Sequence, residues 1–336
     1  MEIKQTLPTV NRIHPTFSAM VAMVFVLITV FSLPSYAIEQ VLVIRPDGPN
    51  FEHALKGMTD ELESDFAVRE LIVTKTTSVK TVDSIINLVT PVIVILMDNV
   101  SITLFKQYQK TLPDTTHFVP SISLMGIFID QAITGLKNAT GIVYEIPMVT
   151  SAVNLRSIMG VPLKKLGVVH RQFMKNMIDL NSEYCTKEGI EIVSQSIPDN
   201  SASTKATLTQ ALSAVFSQSS IGAVWIPNDN ILLKSDLVRE VWQPLIARYK
   251  KPIIVGLAVL ANPQFGLGTF AVSPDHDALG AQAGSLILSI KNNNWQLENG
   301  RVVQPISIYK TINLKQAKEF FNVKEERLQN VDKILR

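Results

Sequence analysis

An α/β fold with two doubly wound parallel sheets is what this sequence predicts, and three observations carry the prediction. Apolar runs of strand length alternate with segments of helical period from residue 41 onward. The alternation restarts near residue 165 with the same grammar. Central runs such as "PVIVILM" carry almost no polar interruption. Continuous Val/Ile/Leu runs suit parallel strands covered on both faces, and alternating strands and helices belong to parallel sheets.

The elements follow in order. "QVLVIRP" reads as the first strand, and "FEHALKGMTDELES" sets Phe51, Ala54, Leu55, Met58 and Leu62 on one helical face. Strand "AVRELIVTK", helix "TVDSIINLV", strand "PVIVILM", helix "SITLFKQYQKTL" and strand "HFVPSISL" continue the first half. The second half runs "KLGVVH", a helix over 172–188, "IEIVSQSI", "TLTQALSAVFSQS", "GAVWIP", "SDLVREVWQPLIARY" and "PIIVGL". After "GTFAVSP", a strong helix begins at "DHDALGAQAGSLILSIKNNN", and "VVQPISIYKTINLKQAKEFF" adds a last strand and a short helix. Trp225 and Trp242 fall on core-facing positions of a strand and a helix.

The N-terminus has a different character. Lys4, Arg12 and His14 precede the apolar stretch "AMVAMVFVLITVFSL", and "PSYA" follows it. That is the three-part pattern of a cleavable export signal over 1–37, with the cut after Ala37; the apolar stretch is short for a membrane span of roughly 20 residues. An uncleaved anchor is the alternative. Cys185 is the single cysteine, so the chain has no internal disulfide and no cysteine at the cut to carry a lipid. Exported and free of disulfides, the chain is expected in the periplasm, with Cys185 packing as a small apolar side chain.

Composition narrows the function. Formal net charge is +2 and no run of five like charges occurs, which leaves nothing to favour nucleic acid or an anionic membrane as partner. There is no G-x-S-x-G, H-E-x-x-H, G-x-G-x-x-G or phosphate loop, and the five histidines have no metal-ligand spacing. No cofactor, metal or catalytic residue is expected.

Five local motifs occur in one order: "NATGI" at Asn138 to Ile142, "KLGVVH", "WIPNDN", "DALGAQAG" and "KTINLKQAK". Together they resemble the type I periplasmic binding proteins, and more narrowly the ABC-transporter substrate-binding family whose best-known members bind aromatic amino acids. The resemblance covers Val41 to Asn322. Two segments depart from the family pattern, "LMDNVS" and "SLMGIFIDQ". The resemblance implies two lobes joined by a hinge, with ligand enclosed between them: 38–145 plus 275–300 as N-terminal lobe, 146–273 plus 302–322 as C-terminal lobe, and 323–336 as tail. It implies capture of a small polar organic ligand such as an amino acid and delivery to an ABC importer, the membrane being reached only through a partner. A receptor serving a membrane sensor is the alternative, and a hydrolase a third.

In open parallel sheets, ligands bind in the crevice outside the carboxyl ends of the strands. Those ends place Asp47, Phe51, Asp98, Asn99 and Ser123 in the first half, and His170, Asn228, Asp229, Asn230, Gly256 and Leu257 in the second. Asp275 lies near the expected crossing. Asp229 leads the candidates, because a short carboxylate accepts charge-assisted hydrogen bonds from a ligand ammonium or hydroxyl. Each residue also has a plainer role. Asp47 fits a turn in "RPDGPN", Phe51 fits the core, Asn99 fits a helix start, and Asp229 or Asn228 fits a turn or a cap before Ser235. His170 fits a hydrogen-bonded wall, Arg171 an anion partner or the surface, and Asp275 a helix cap.

Overall fold

In the computed structural model, residues 38–336 are described except 114, 201–203, 298–299 and 322. The expected export signal over 1–37 lies outside the described residues. From Glu39 onward the chain forms one compact unit.

The first sheet contains β1 (Glu39–Arg45), β2 (Phe66–Ile72), β3 (Ile93–Met97), β4 (Ser121–Leu124), β5 (Ala139–Ile142) and, from far along the chain, β11 (Val302–Val303). Its order is β11-β5-β4-β3-β1-β2, all parallel. The strand order reverses between β1 and β3, and that switch point is where such sheets open a crevice. β11 departs from the sequence reading, which assigns 302–322 to the second lobe. Val302 and Val303 instead pair with Gly141 and Ile142.

Helices α1 (Pro49–Leu62), α2 (Val79–Val89), α3 (Asn99–Gln109) and the short α4 (Ile129–Ala132) connect these strands. Pro49 at the first position of α1 has the fixed φ that a helix start needs. Asp98 caps α3 by accepting from Ser101 N at 2.8 Å.

The second sheet has β6 (Lys165–Arg171), β7 (Glu191–Ile197), β8 (Ala223–Ile226), β9 (Ile253–Val255), β10 (Phe270–Pro274), β12 (Ile308–Asn313) and β13 (Lys333–Leu335), in the order β13-β12-β10-β9-β8-β6-β7. β12 runs antiparallel to β10, and the other pairings are parallel. Its helices are α5 (Met148–Met159), α6 (Lys175–Lys187), α7 (Thr204–Phe216), α8 (Ser235–Leu237), α9 (Gln243–Tyr249) and α11 (Leu314–Phe320). Between α8 and α9, residues Val238–Trp242 form a π turn. Pro244 supplies the cause, since it lacks an N–H and its ring crowds the carbonyl four residues back. Trp242 is fully buried there and donates from Nε1 to Leu232 O at 3.0 Å.

Each sheet is covered on both faces by its own apolar clusters. Helix α10 (His276–Asn292) follows β10 of the second sheet yet buries Leu279, Ala283 and Ile287 in the core of the first. It crosses α1 at glycine: a Cβ on Gly280 would lie 1.9 Å from Ala54 O, and one on Gly57 would lie 2.0 Å from Asp277 O. Three segments pass between the lobes, at 143–147, 274–275 and 304–307. Val143 N donates to Val303 O at 2.9 Å, and Asp275 N donates to Ser307 O at 3.2 Å, which ties the crossings together. Each bond joins the chain at 303–307 to one of the other two crossings, so all three lie tied side by side.

Candidate functional site

The carboxyl ends of β6 and β8, adjacent at the second sheet's switch point, carry the most elaborate polar group of the interface. Arg171 ends β6 and Asp229 follows β8. Arg171 donates from Nε to Asp229 Oδ2 at 2.7 Å and from Nη2 to Oδ1 at 3.2 Å, a bidentate pair. Asp229 Oδ1 also accepts from Ile231 N at 2.8 Å and Leu232 N at 3.3 Å. The Asp229 side chain has 0% exposure and Arg171 has 16%.

This changes the role expected of Asp229. Its oxygens are spent on Arg171 and on the turn that precedes α8, whose own cap residue, Lys234, makes no side-chain cap bond. Asp229 therefore shapes the turn and aims Arg171, while Nη1 of Arg171 has no partner among the described residues. The guanidinium carbon stands 4.4 Å from the centroid of the Phe173 ring, a cation–π contact. Phe173 in turn meets Phe128, which follows β4 in the first lobe, edge-on at 5.4 Å. A chain of contacts from Asp229 through Arg171 and Phe173 to Phe128 thus spans the interface.

Phe128 is positioned by a buried acid. Its N–H donates at 2.9 Å to Oε1 of Glu145, in the first crossing segment. Burial pushes the Glu145 carboxyl up to about 7; the Phe128 N–H opposes that rise and the nearby Asp130 adds to it.

The remaining candidates divide by what surrounds them. Asn228 is 8% exposed, its Oδ1 has no partner among the described residues, and its side chain abuts Gly256, where a Cβ would come within 2.6 Å of Oδ1. The bare face of Gly256 leaves room for the Asn228 amide, which a side chain there would displace. Asn230 is exposed just beyond. His170 is buried, its Nδ1 2.9 Å from Arg171 O, which makes it part of the wall. Ser123, next to last in β4 and paired beside Gly141, is fully buried, and its Oγ has no hydrogen-bond partner among the described residues. Asn99 clamps the loop after β4, donating to Ile127 O at 2.8 Å and accepting from Ile127 N at 2.7 Å. Asp98 is half-buried, and burial raises its pKa.

Asp47 is exposed on the turn into α1. Phe51, from the first lobe, and Leu257, from the second, both pack against the same first-lobe core, so Leu257 bridges the lobes. Asp275 caps α10, accepting from Asp277 N at 3.1 Å and Ala278 N at 3.4 Å. Next to it, the hydroxyl of Tyr144 lies 2.8 Å from His276 Nε2; burial raises the tyrosine and lowers the histidine, so a neutral imidazole accepts from a protonated phenol. Among the described residues no group of three or more His, Cys, Asp or Glu side chains is arranged to hold a metal, and no described helix is long and apolar enough to cross a membrane.

Solved structures share this arrangement across most of the chain. A ligand-free, open substrate-binding protein with adhesive properties from Clostridium difficile superposes with a TM-score of 0.64 at 14% identity, covering 89% of this chain and 99% of that one. A Streptococcus pneumoniae ABC domain in complex with L-Trp gives 0.57 at 17% identity, with 89% and 100% covered. The fold is that of the type I periplasmic binding proteins. A conserved domain protein from Vibrio cholerae shares it as well, with a TM-score of 0.54, 15% identity, and 89% and 100% of the chains covered. No family model matches the sequence, and no curated protein does.

Within this type I fold, Phe128, Phe173 and Glu145 are the residues that sequence reasoning missed. Phe128 lies in "SLMGIFIDQ", one of the two segments that depart from the family pattern, and that departure was the available signal. Arg171 stood one position beyond a candidate, at the tip of the same strand.

Proposed function

We propose that this protein is a periplasmic solute-binding protein that captures an amino acid between its lobes and delivers it to an ABC importer, having left the cytoplasm on the signal over 1–37. The observation that carries the reading is the interlobe chain of Asp229, Arg171, Phe173 and Phe128. The free Nη1 edge of Arg171 is suited to the ligand's carboxylate. Asn228 Oδ1 is suited to its ammonium, and the two phenyl rings to an apolar or aromatic side chain. Asp229 is a positioning residue, since its oxygens are occupied. His170, Asn99 and Ser123 belong to the supporting structure; Asp47, Phe51, Asp98, Asn230, Gly256, Leu257 and Asp275 stay as residues of the interface that a ligand can meet on closure.

Binding at such a site shifts an open–closed equilibrium, because a ligand that touches both lobes has its full set of contacts only when they are together. The test is mass spectrometry of ligand released from the denatured mature protein, followed by calorimetry of Arg171→Ala with that ligand. A charge-assisted hydrogen bond contributes roughly 1.5–3 kcal/mol, so affinity should fall about 10- to 100-fold. Unchanged affinity would remove Arg171 from the site.

A further inference from the structure

We propose that Glu145 is a positioning residue that couples closure of the lobes to the uptake of one proton, so that the interlobe site holds its ligand more tightly in mild acid than above neutral pH. The site and its amino-acid ligand are those of the proposed function. The link between proton and closure stands apart from them.

Glu145 sits where the lobes meet. It belongs to the first crossing segment, and its Oε1 accepts from Phe128 N at 2.9 Å. Phe128 comes from the first lobe, yet it packs against the apolar cluster of the second, which includes Ile146 and Met148, and meets the Phe173 ring edge-on at 5.4 Å. The loop is held there against its own preference. Phe128 has a φ of 52°, a left-handed conformation that a bulky L residue seldom adopts, and Asn99 binds both the N–H and the carbonyl of Ile127 before it. Such strain persists only where the surroundings over-determine it. Here they include one amide on α3 and one carboxyl in the crossing.

The cover over Glu145 therefore comes from both lobes. Opening withdraws Phe128 from the second lobe and admits water to the carboxyl. With the lobes in contact, burial raises that carboxyl from 4.5 to about 7, and no cation is among the groups that act on it. In water it returns towards its ordinary value. Between the two values the closed state holds a proton that the open state has released, so closure is favoured in acid. It weakens by up to about tenfold per pH unit as pH rises, and levels off above about 7. Part of Glu145 stays within reach of solvent, so the proton needs no relay.

The neighbouring charges leave this titration to Glu145. On α4 the exposed Asp130 adds to the rise, and Lys106 of α3 is directed to Ala132 O at 3.4 Å. Tyr144, next in the crossing, keeps its phenol proton and turns to His276, which burial keeps neutral beside Asp275, Asp277 and His53. On the second lobe, Arg171 and Asp229 answer each other in their bidentate pair.

Two measurements on the whole mature chain test the coupling. In the first, an equimolar mixture of the twenty protein L-amino acids, below saturation, is dialysed against the chain at pH 5 and pH 7.5, and bound ligand is counted by mass spectrometry. Wild-type affinity should be at least about tenfold weaker at pH 7.5. Glu145→Gln keeps an oxygen for the Phe128 N–H and should bind at pH 7.5 as the wild type does at pH 5. Phe128→Ala uncovers Glu145 in both states and should bind more weakly with no pH dependence. In the second, small-angle X-ray scattering of the ligand-free chain should show a larger radius at pH 8 than at pH 5.5 for wild type, and one radius at both for Glu145→Gln. In either measurement, a wild-type pH dependence that Glu145→Gln shares, or none at all, would overturn the proposal. If no amino acid binds at either pH, the proposed function fails, and the scattering alone decides the coupling.

Discussion

Replacing Glu145 with Gln should stabilise the protein above neutral pH and flatten part of its pH profile. Glutamine keeps an oxygen for the Phe128 N–H, now 2.9 Å from Glu145 Oε1, and removes the charge. Burial raises the carboxyl from 4.5 to about 7 in the folded chain. Between those values the folded state holds a proton that the unfolded state has released, so unfolding free energy falls as pH rises through the window and levels off above about 7. At roughly 1.36 kcal/mol per pH unit, the separation amounts to about 3 kcal/mol. For a chain of this size that corresponds to about 5–10 °C in melting temperature. The assay is a series of urea titrations of wild type and variant from pH 4 to 8.5. The two should coincide near pH 4 and diverge by about 3 kcal/mol at pH 8. A difference independent of pH would refute the reasoning, because it would place the effect in packing and not in the buried charge.

Three further outcomes follow from the geometry. Asp229→Asn leaves Arg171 without its anion and should cost about 3 kcal/mol in denaturant unfolding, as breaking a buried pair does; a loss near zero would mean that solvent already screens the pair. Gly280→Ala puts a methyl 1.9 Å from the Ala54 carbonyl oxygen, in rigid helix backbone, so α1 and α10 must separate. A loss of at least about 2 kcal/mol is expected from such overpacking, and a fully stable variant would show that the crossing is looser than the structure has it. Cys185 is completely buried and its thiol is pushed up to about 11, so a maleimide should not label the native protein at pH 7.5 but should label it in urea.

The strands and most helices were legible because burial on both faces writes itself into composition. "PVIVILM" became β3 with every residue from Ile93 to Met97 buried, and the stripe through Leu279, Ala283 and Ile287 became the face that α10 presents to the first lobe. Short elements were less visible. Two valines at 302–303 form a strand only because β5 offers an open edge, and nothing local marks them for the first sheet. The proposed site could be read from the sequence as a set of strand ends, but its side-chain partners could not. "WIPNDN" places Asn228 and Asp229 at the end of β8, yet Asp229 meets an arginine because β6 lies beside β8 and brings Arg171, 58 positions away in sequence, within reach. Phe128 and Phe173 looked like ordinary loop and helix-entry residues for the same reason: each gains its role from the other lobe.

In the proposed function, a small ligand works against contacts between the lobes that are individually modest. Phe128 against Phe173 contributes roughly 0.5–1.5 kcal/mol beyond its buried area, and Leu257 contributes at most about 2 kcal/mol as a partly covered aliphatic side chain. The crossings themselves resist little, because the hydrogen bonds from Val143 to Val303 and from Asp275 to Ser307 run between neighbouring crossings and survive a rotation that carries all three together. A preference of about 3 kcal/mol corresponds to a population ratio near 150. One additional charge-assisted bond made only in the closed state is comparable with that whole preference. Arg171 fits this balance because Asp229 and Phe173 already fix its orientation in the second lobe. For the ligand carboxylate of the proposed function, the guanidinium is already ordered, so little binding energy would be diverted into ordering the arginine side chain.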